Sequence, residues 1–103
     1  MQQAVRDILA LTSVLRDDTE FAIIEQAVPI LDRLTTPIEA DDLKALISLL
    51  PANGDTAHGL NWTILHAIES SSEWPLWELL ADTRNEWVQI LKMRLENGGC
   101  QQP

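Results

Sequence analysis

The sequence predicts an all-α protein: five to six short helices, paired antiparallel, in one compact domain. Apolar residues recur every three or four positions along most of the chain, and the β-branched residues follow the same helical spacing. No two-residue glycine turn separates two alternating apolar runs, as a β-hairpin would require. The 103 residues, of which 46% are hydrophobic, suffice for one domain. Helix pairs stacked like HEAT repeats are one arrangement that this pattern allows, although no internal repeat is visible.

The first helix is predicted over residues 2–16, with an apolar face that extends to Leu15. Asp17 and Asp18 end this helix, and Asp18 can also cap the next one. The second helix carries its apolar residues over 21–34. The chain is therefore expected to turn back on itself after the first helix.

Prolines mark the boundaries of the next part of the chain. Pro29 lies within the second helix and removes one helical hydrogen bond, so we expect a kink or a restart there. The stretch 36–39 places threonine at the N-cap, proline at N1 and glutamate at N3, and predicts the start of a third helix. Asp41 and Asp42 allow a slightly later start. Pro51 ends this helix.

The central stretch, residues 53–74, is expected to organise the core. A polar loop over 51–59 with two glycines leads into a fourth helix, and Trp62 widens the apolar stripe of that helix to more than one face. Tryptophan contributes the largest apolar surface to a small core. We therefore expect Trp62 to be a core residue whose replacement by alanine destabilises the domain by about 3–5 kcal/mol.

Two more helices are predicted after the fourth. Ser72 can cap a short helix over 73–80, and a capping box at 83–86 would open a longer one. The apolar spacing also permits one continuous helix here, although the capping signals favour a break. An Asn-Gly pair at 97–98 then predicts the final helix end.

The end of the chain is polar. The single domain is expected to cover residues 1–98, with 99–103 as a disordered tail. Cys100 lies in that tail and, as the only cysteine, has no internal disulfide partner. No apolar run reaches about 18 residues, and the first residues lack the order of a signal peptide. A cytoplasmic protein without a membrane span is therefore expected.

The charge is acidic and unevenly distributed. Sixteen acids against seven bases give a formal net charge of −9. Residues 1–82 hold 14 of the acids and 4 of the bases, whereas residues 83–103 hold 2 and 3. A surface of this kind repels nucleic acid and anionic lipid, and it attracts a basic protein. The alternative without a binding partner is that the acids cap helices and keep the protein in solution.

Catalytic and metal-binding patterns are weak. His58 follows Asp55 by three residues in the central loop, while His66 and Glu69 lie three apart on the fourth helix and can face one another. A metal site would need a more defined ligand set. The simpler interpretation is an exposed His58 and a His66 ring hydrogen-bonded to a neighbouring group. Without a phosphate-binding loop or a nucleophile motif, we expect neither an enzyme nor a bound metal or cofactor.

The stretch 59–69 reads Gly-Leu-Asn-Trp-Thr-Ile-Leu-His-Ala-Ile-Glu and follows a loop that contains Asn-Gly-Asp. This pattern resembles the small helical immunity proteins that bacteria pair with polymorphic or contact-dependent inhibition toxins, and in particular the immunity protein 30 family. The resemblance covers about residues 43–80. Its distinguishing positions are Gly59, Trp62, His66 and Glu69. It implies stoichiometric binding and neutralisation of a cognate toxin domain, for which a nuclease with a basic cleft is one candidate.

The partner surface is expected where the longest loop and a dense group of acids coincide. The 17–20 turn and the 51–59 loop each follow a helix of the same direction, so they should lie at one end, with the acids of 39–42 at the other. Opposite charge speeds encounter with a basic toxin, and apolar anchors supply most of the affinity. Lysine in place of the aspartates of this surface should slow association and leave the fold intact. The predicted contact residues are Asp17, Asp18, Glu20, Asp55 and His58.

Two other functions remain open from the sequence. One is a small acidic helical adaptor or regulator whose protein partner is unrelated to toxins. The other is a DNA mimic, which needs carboxylates spaced along an extended surface. The acids of this chain instead cluster at 17–20 and 39–42, which disfavours the mimic. A toxin-encoding reading frame next to the gene would distinguish immunity from the adaptor.

Overall fold

The computed structural model describes residues 1–100, and within that range it is built from helices without any strand. This confirms the predicted all-α class. The described residues form five α-helices and one 3-10 turn, Trp77–Leu80. The α-helices are α1 (Gln3–Leu11), α2 (Phe21–Asp32), α3 (Ala40–Ser48), α4 (Leu60–Glu69) and α5 (Glu86–Asn97).

α1 ends five residues before the predicted boundary at residue 16. Thr12 adopts an extended conformation, and its Oγ1 donates to the carbonyl oxygen of Val14 at 2.8 Å, which competes with helical hydrogen bonding. Leu15 is nevertheless fully buried. Its N–H donates to the Leu49 carbonyl oxygen at 3.0 Å, so the chain after α1 is anchored to the end of α3.

Two contacts at the beginning of α1 fix the directions of the first three helices. The N–H of Thr35, which follows α2, donates to Oε1 of Gln2 at 3.1 Å, so α2 runs antiparallel to α1. Arg33 also forms a salt bridge to Asp7 in the middle of α1, with 2.7 Å between Nη2 and Oδ2. The N–H of Gln2 donates to Oδ1 of Asp42 at 3.1 Å. Because the beginnings of α1 and α3 meet here and their ends meet at the Leu49 carbonyl, these two helices run parallel.

α4 runs back along α3. The Ser71 hydroxyl, just after α4, donates to the Ile38 carbonyl oxygen before α3, while Asn61 at the start of α4 donates to the Leu15 carbonyl oxygen. The 3-10 turn then returns the chain, so that α5 runs beside α4 in the same direction. The beginnings of α2, α4 and α5 consequently lie at the same end of the domain.

The helix starts differ from the predicted capping boxes. α3 begins at Ala40, and the N-cap position is Glu39, whose N–H donates to Oδ2 of Asp42 at 3.2 Å. The later of the two predicted starts is therefore the correct one. α5 is capped by Asn85, whose Oδ1 accepts from the N–H groups of Trp87 and Val88 at 2.9 and 3.2 Å. The predicted break before α5 is confirmed, but threonine at 83 is not its cap.

Trp62 is not the core tryptophan. It is 38% exposed, whereas Trp87 is completely buried and is the largest buried side chain. The buried positions of α4 are Asn61, Ile64, Leu65 and Ile68, and this phase turns residue 62 toward the outer side of the helix. The Trp62 ring instead meets Trp87 edge to face, with ring centroids 5.0 Å apart and an interplanar angle of 75°.

α2 continues through Pro29 as one helix, so the restart that the proline allowed is not found. At the other end of the chain, Gly99 adopts φ 90° and donates to the Glu96 carbonyl oxygen, while Cys100 donates to the Leu95 carbonyl oxygen at 2.8 Å. These two bonds form a Schellman motif. The first two residues of the expected tail are thus bonded to α5, and the remaining residues of that tail, 101–103, lie outside the described part of the chain.

Candidate functional site

The 17–20 turn and the 51–59 loop lie together and form what we call the acidic end. The N–H of Asp17 donates to Oδ2 of Asp55 at 3.1 Å, and Oδ1 of Asp17 accepts from the N–H of Ala57 at 2.9 Å. Each aspartate therefore caps a backbone group of the other segment. The topology expected from the sequence placed these two segments at one end, and the two hydrogen bonds join them directly.

The loop reaches α4 through three residues in the left-handed region. Ala57, His58 and Gly59 have φ values of 50°, 56° and 92°. The first two are not glycine, and each such residue stores about 1–2 kcal/mol of backbone strain. The carbonyl oxygen of Thr56 accepts from the N–H groups of Gly59 and Asn61 at 3.1 and 3.0 Å, which closes the turn. His58 is exposed at the outside of this turn.

Asn61 holds the loop through its buried side-chain amide, a role that the sequence did not indicate. Its side chain is fully buried, and Nδ2 donates to the carbonyl oxygens of Leu15 and Asp55 at 2.9 and 2.8 Å. The indole Nε1 of Trp87 donates to the same Asp55 carbonyl at 2.9 Å. The only signal in the sequence is that the asparagine occupies a position in phase with Ile64, where an apolar residue would be expected.

The five predicted contact residues separate into two groups. The carboxylates of Asp17 and Asp55 accept hydrogen bonds from backbone N–H groups. These two residues therefore hold the shape of the surface as well as contributing negative charge to it. Asp18, Glu20 and His58 are exposed, and neither acid forms a salt bridge within residues 1–100. We expected lysine at Asp17, Asp18 and Asp55 to leave the fold intact. This holds for Asp18 alone, because the carboxylates of Asp17 and Asp55 hold the turn and the loop together.

Phe21 lies beside these acids, and its exposure was not predicted from the sequence. It is the first residue of α2 and is 70% exposed, the highest exposure among the large hydrophobic side chains in the described part of the chain. The sequence placed it on the apolar side of α2, because apolar spacing alone does not separate the buried stripe from its edge. The buried residues of this helix are Ile24, Ala27 and Leu31.

Three of the four motif positions belong to the framework. Gly59 occupies the N-cap of α4 in the left-handed region. Glu69 accepts from Nε and Nη2 of Arg94 at 2.7 and 2.9 Å, and this hydrogen bond raises the pKa of the guanidinium. The expected His66–Glu69 pair is thereby replaced by an ion pair to α5, and His66 is exposed. Trp62 contacts Trp87, so two of the four positions join α4 to α5.

The second acidic group, at 39–42, lies at the opposite end, as expected. Asp42 is only 2% exposed and accepts from the N–H groups of Gln2 and Glu39. Asp41 lies 3.1 Å from the terminal amine of Met1, which lowers the pKa of this carboxyl. Both carboxylates are therefore engaged locally. An open groove of about 500 Å³ lies beside them, lined by residues 37–41 together with Ser72 and Glu73.

The described residues form neither a cluster of metal-ligating side chains nor a membrane-spanning helix. Among residues 1–100, no three histidine, cysteine or acidic side chains are grouped so that they could hold a metal ion. No helix in this range has the length and apolarity needed to cross a bilayer. The exposed groups of the acidic end can form ion pairs and hydrogen bonds.

Comparisons of the chain with protein-family models, with curated proteins and with solved structures gave no match.

Proposed function

We propose that this chain is an immunity protein, which binds and neutralises a cognate bacterial toxin domain through its acidic end. The observation that supports this most directly is the pairing of Asp17 with Asp55. It fixes a turn and a loop from distant parts of the chain into one surface, from which Asp18, Glu20 and His58 point to solvent. Such a surface is suited to binding a basic protein.

Physical arguments favour a basic protein as the partner. Opposite charge accelerates encounter and penalises wrong partners. Because hydrogen bonds between backbone N–H groups and aspartate carboxylates already hold the turn and the loop together, little conformational entropy is lost when a partner binds. A nuclease domain carries a basic cleft for phosphate, and this charge complements the acidic end. The toxin class itself is taken from the resemblance of residues 59–69 to immunity protein 30.

The test is co-expression with the C-terminal domain of the reading frame immediately upstream of the gene. Growth rescue together with co-purification as a stoichiometric complex is the expected result. Absence of rescue, or rescue without a complex, would overturn the proposal. A complex with a partner that is not toxic would instead favour the helical adaptor.

A matched pair of variants locates the surface. Replacing Asp18 and Glu20 with lysine should slow association at low salt, because electrostatic steering is lost. Replacing Glu78 and Glu96 with lysine makes the same change in net charge at two other exposed positions. If both double variants associate equally fast, the acidic end is not the contact surface.

A further inference from the structure

α2 has an outer face that no other part of the described chain covers. Phe21 and Val28 are 70% and 42% exposed, and they lie seven residues apart, two turns along the same side of the helix. Glu25 and Asp32 lie on the same stripe at helical spacing, and both are exposed. The stripe therefore alternates apolar and acidic side chains and begins at the acidic end.

The folded domain does not use this stripe. The buried face of α2 is formed by Ile24, Ala27 and Leu31, whereas Phe21 leaves most of its ring in water. Isolated exposed apolar residues are common on protein surfaces. Two on one stripe, beside the acids that precede the helix, form a continuous surface of mixed character. Aromatic side chains, phenylalanine among them, are enriched at protein interfaces relative to the rest of the surface.

We propose that this face of α2 binds a basic protein surface, with Phe21 inserted in an apolar pocket bordered by lysine or arginine. Residues 17–32 contain five acids and no base. Arg16 precedes this segment, and Arg33, which follows it, is paired with Asp7. The face of an aromatic ring also attracts a cation. The partner is the basic protein of the proposed function, on which this inference rests. What the inference adds is that Phe21 anchors this partner.

The same charges exclude the other occupants of such a face. A second copy of the chain would bring acid against acid along the whole stripe, which opposes association. Phosphate groups of nucleic acid or lipid are repelled for the same reason. Only a surface that is both apolar and positively charged complements Phe21, Val28 and the adjoining carboxylates of this stripe.

The probe for the test is a phage-displayed library of random peptides, selected against the full chain at physiological salt. Peptides that combine lysine or arginine with apolar residues are the expected products. Their affinity should fall at least about tenfold for Phe21→Ala, as expected of an anchor. Met93→Ala on α5 is the matched control, because Met93 is another exposed apolar residue, at 54%, and its loss should leave affinity unchanged.

A spectroscopic readout confirms where the peptides bind. The chain contains a single phenylalanine, so labelling with 4-fluorophenylalanine gives one ¹⁹F resonance that reports on Phe21 alone. This resonance should shift on binding. Equal affinity of wild type and Phe21→Ala, recovery of acidic peptides, or recovery of no peptides would overturn the proposal. So would a dimer that Phe21→Ala abolishes, since the occupant would then be a second copy.

The outcome is independent of the toxin assay. If basic peptides require Phe21 but co-expression gives no growth rescue, the docking face stands and the immunity function fails. If rescue occurs and Phe21→Ala retains it with unchanged affinity for the toxin domain, the immunity function stands and the anchor is wrong.

Discussion

Asp17 and Asp55 are 38 residues apart in the chain, yet the N–H of one donates to the carboxylate of the other at 3.1 Å. Together with the bond from the Ala57 N–H to Asp17, this places two carboxylates of the proposed binding surface in a structural role. Their replacement therefore changes stability, and binding defects in such variants need a separate stability measurement before they are assigned to the interface.

Asp17→Ala should destabilise the domain by about 1–3 kcal/mol, because the N–H of the fully buried Ala57 loses its acceptor. Asp18→Ala, one residue further along an exposed turn, should change the free energy of unfolding by less than about 0.5 kcal/mol. Urea denaturation of both variants measures the difference. Equal effects would show that the Asp17 bond is not maintained in solution.

The two tryptophans that touch each other should differ in their contribution to stability. Trp87→Ala removes the largest buried side chain and should cost about 3–5 kcal/mol. Trp62→Ala removes a partly exposed ring and the edge-to-face contact, so a smaller loss of about 1–2 kcal/mol is expected. Chemical denaturation provides both values, and a larger loss for Trp62 would contradict the observed burial.

Glycine in place of the two histidines should act in opposite directions. His58 has φ 56°, so His58→Gly removes strain and should stabilise the domain by up to about 1 kcal/mol. His66 lies within α4, where glycine loses more conformational freedom on folding, and His66→Gly should destabilise by roughly 0.5 kcal/mol. Thermal melting compares the two, and destabilisation by both would mean that the loop carries no strain at residue 58.

The carboxyl group of Asp7 makes the free energy of unfolding depend on pH in the acidic range. Hydrogen bonds from Gln3 and then from Arg33 lower the pKa of this carboxyl in the folded protein. Its contribution is therefore present above the unfolded value of about 3.9 and is lost as the pH falls through the lower folded value. Asp7→Asn should flatten this part of the dependence of unfolding free energy on pH. An unchanged profile below about pH 4 would remove Asp7 as a cause.

The helical class and the end of α5 could be predicted because they depend on local spacing and capping. Residue 62 shows where this reasoning stops. Its apolarity is visible in the sequence, but the buried face of α4 includes the polar Asn61, whose amide donates to two carbonyl groups, and leaves Trp62 partly exposed. The exposure of Phe21 could not be predicted, because tertiary contacts decide which apolar residues lie at the edge of a buried stripe. The early end of α1 could not be predicted because apolar spacing does not reveal the local hydrogen bond from Thr12 to the Val14 carbonyl oxygen.

Asp55 performs two tasks with different atoms. Its carboxylate accepts from the turn at Asp17, while its carbonyl oxygen accepts from Asn61 and Trp87. One residue thus ties together the loop, the turn and the beginnings of α4 and α5. The neighbouring exposed side chains, at Asp18 and His58, take no part in this connection. Under the proposed function, substitutions of these side chains are expected to change which partner is recognised without dismantling the surface that presents them. Closely related chains could then diverge in specificity while they keep one architecture.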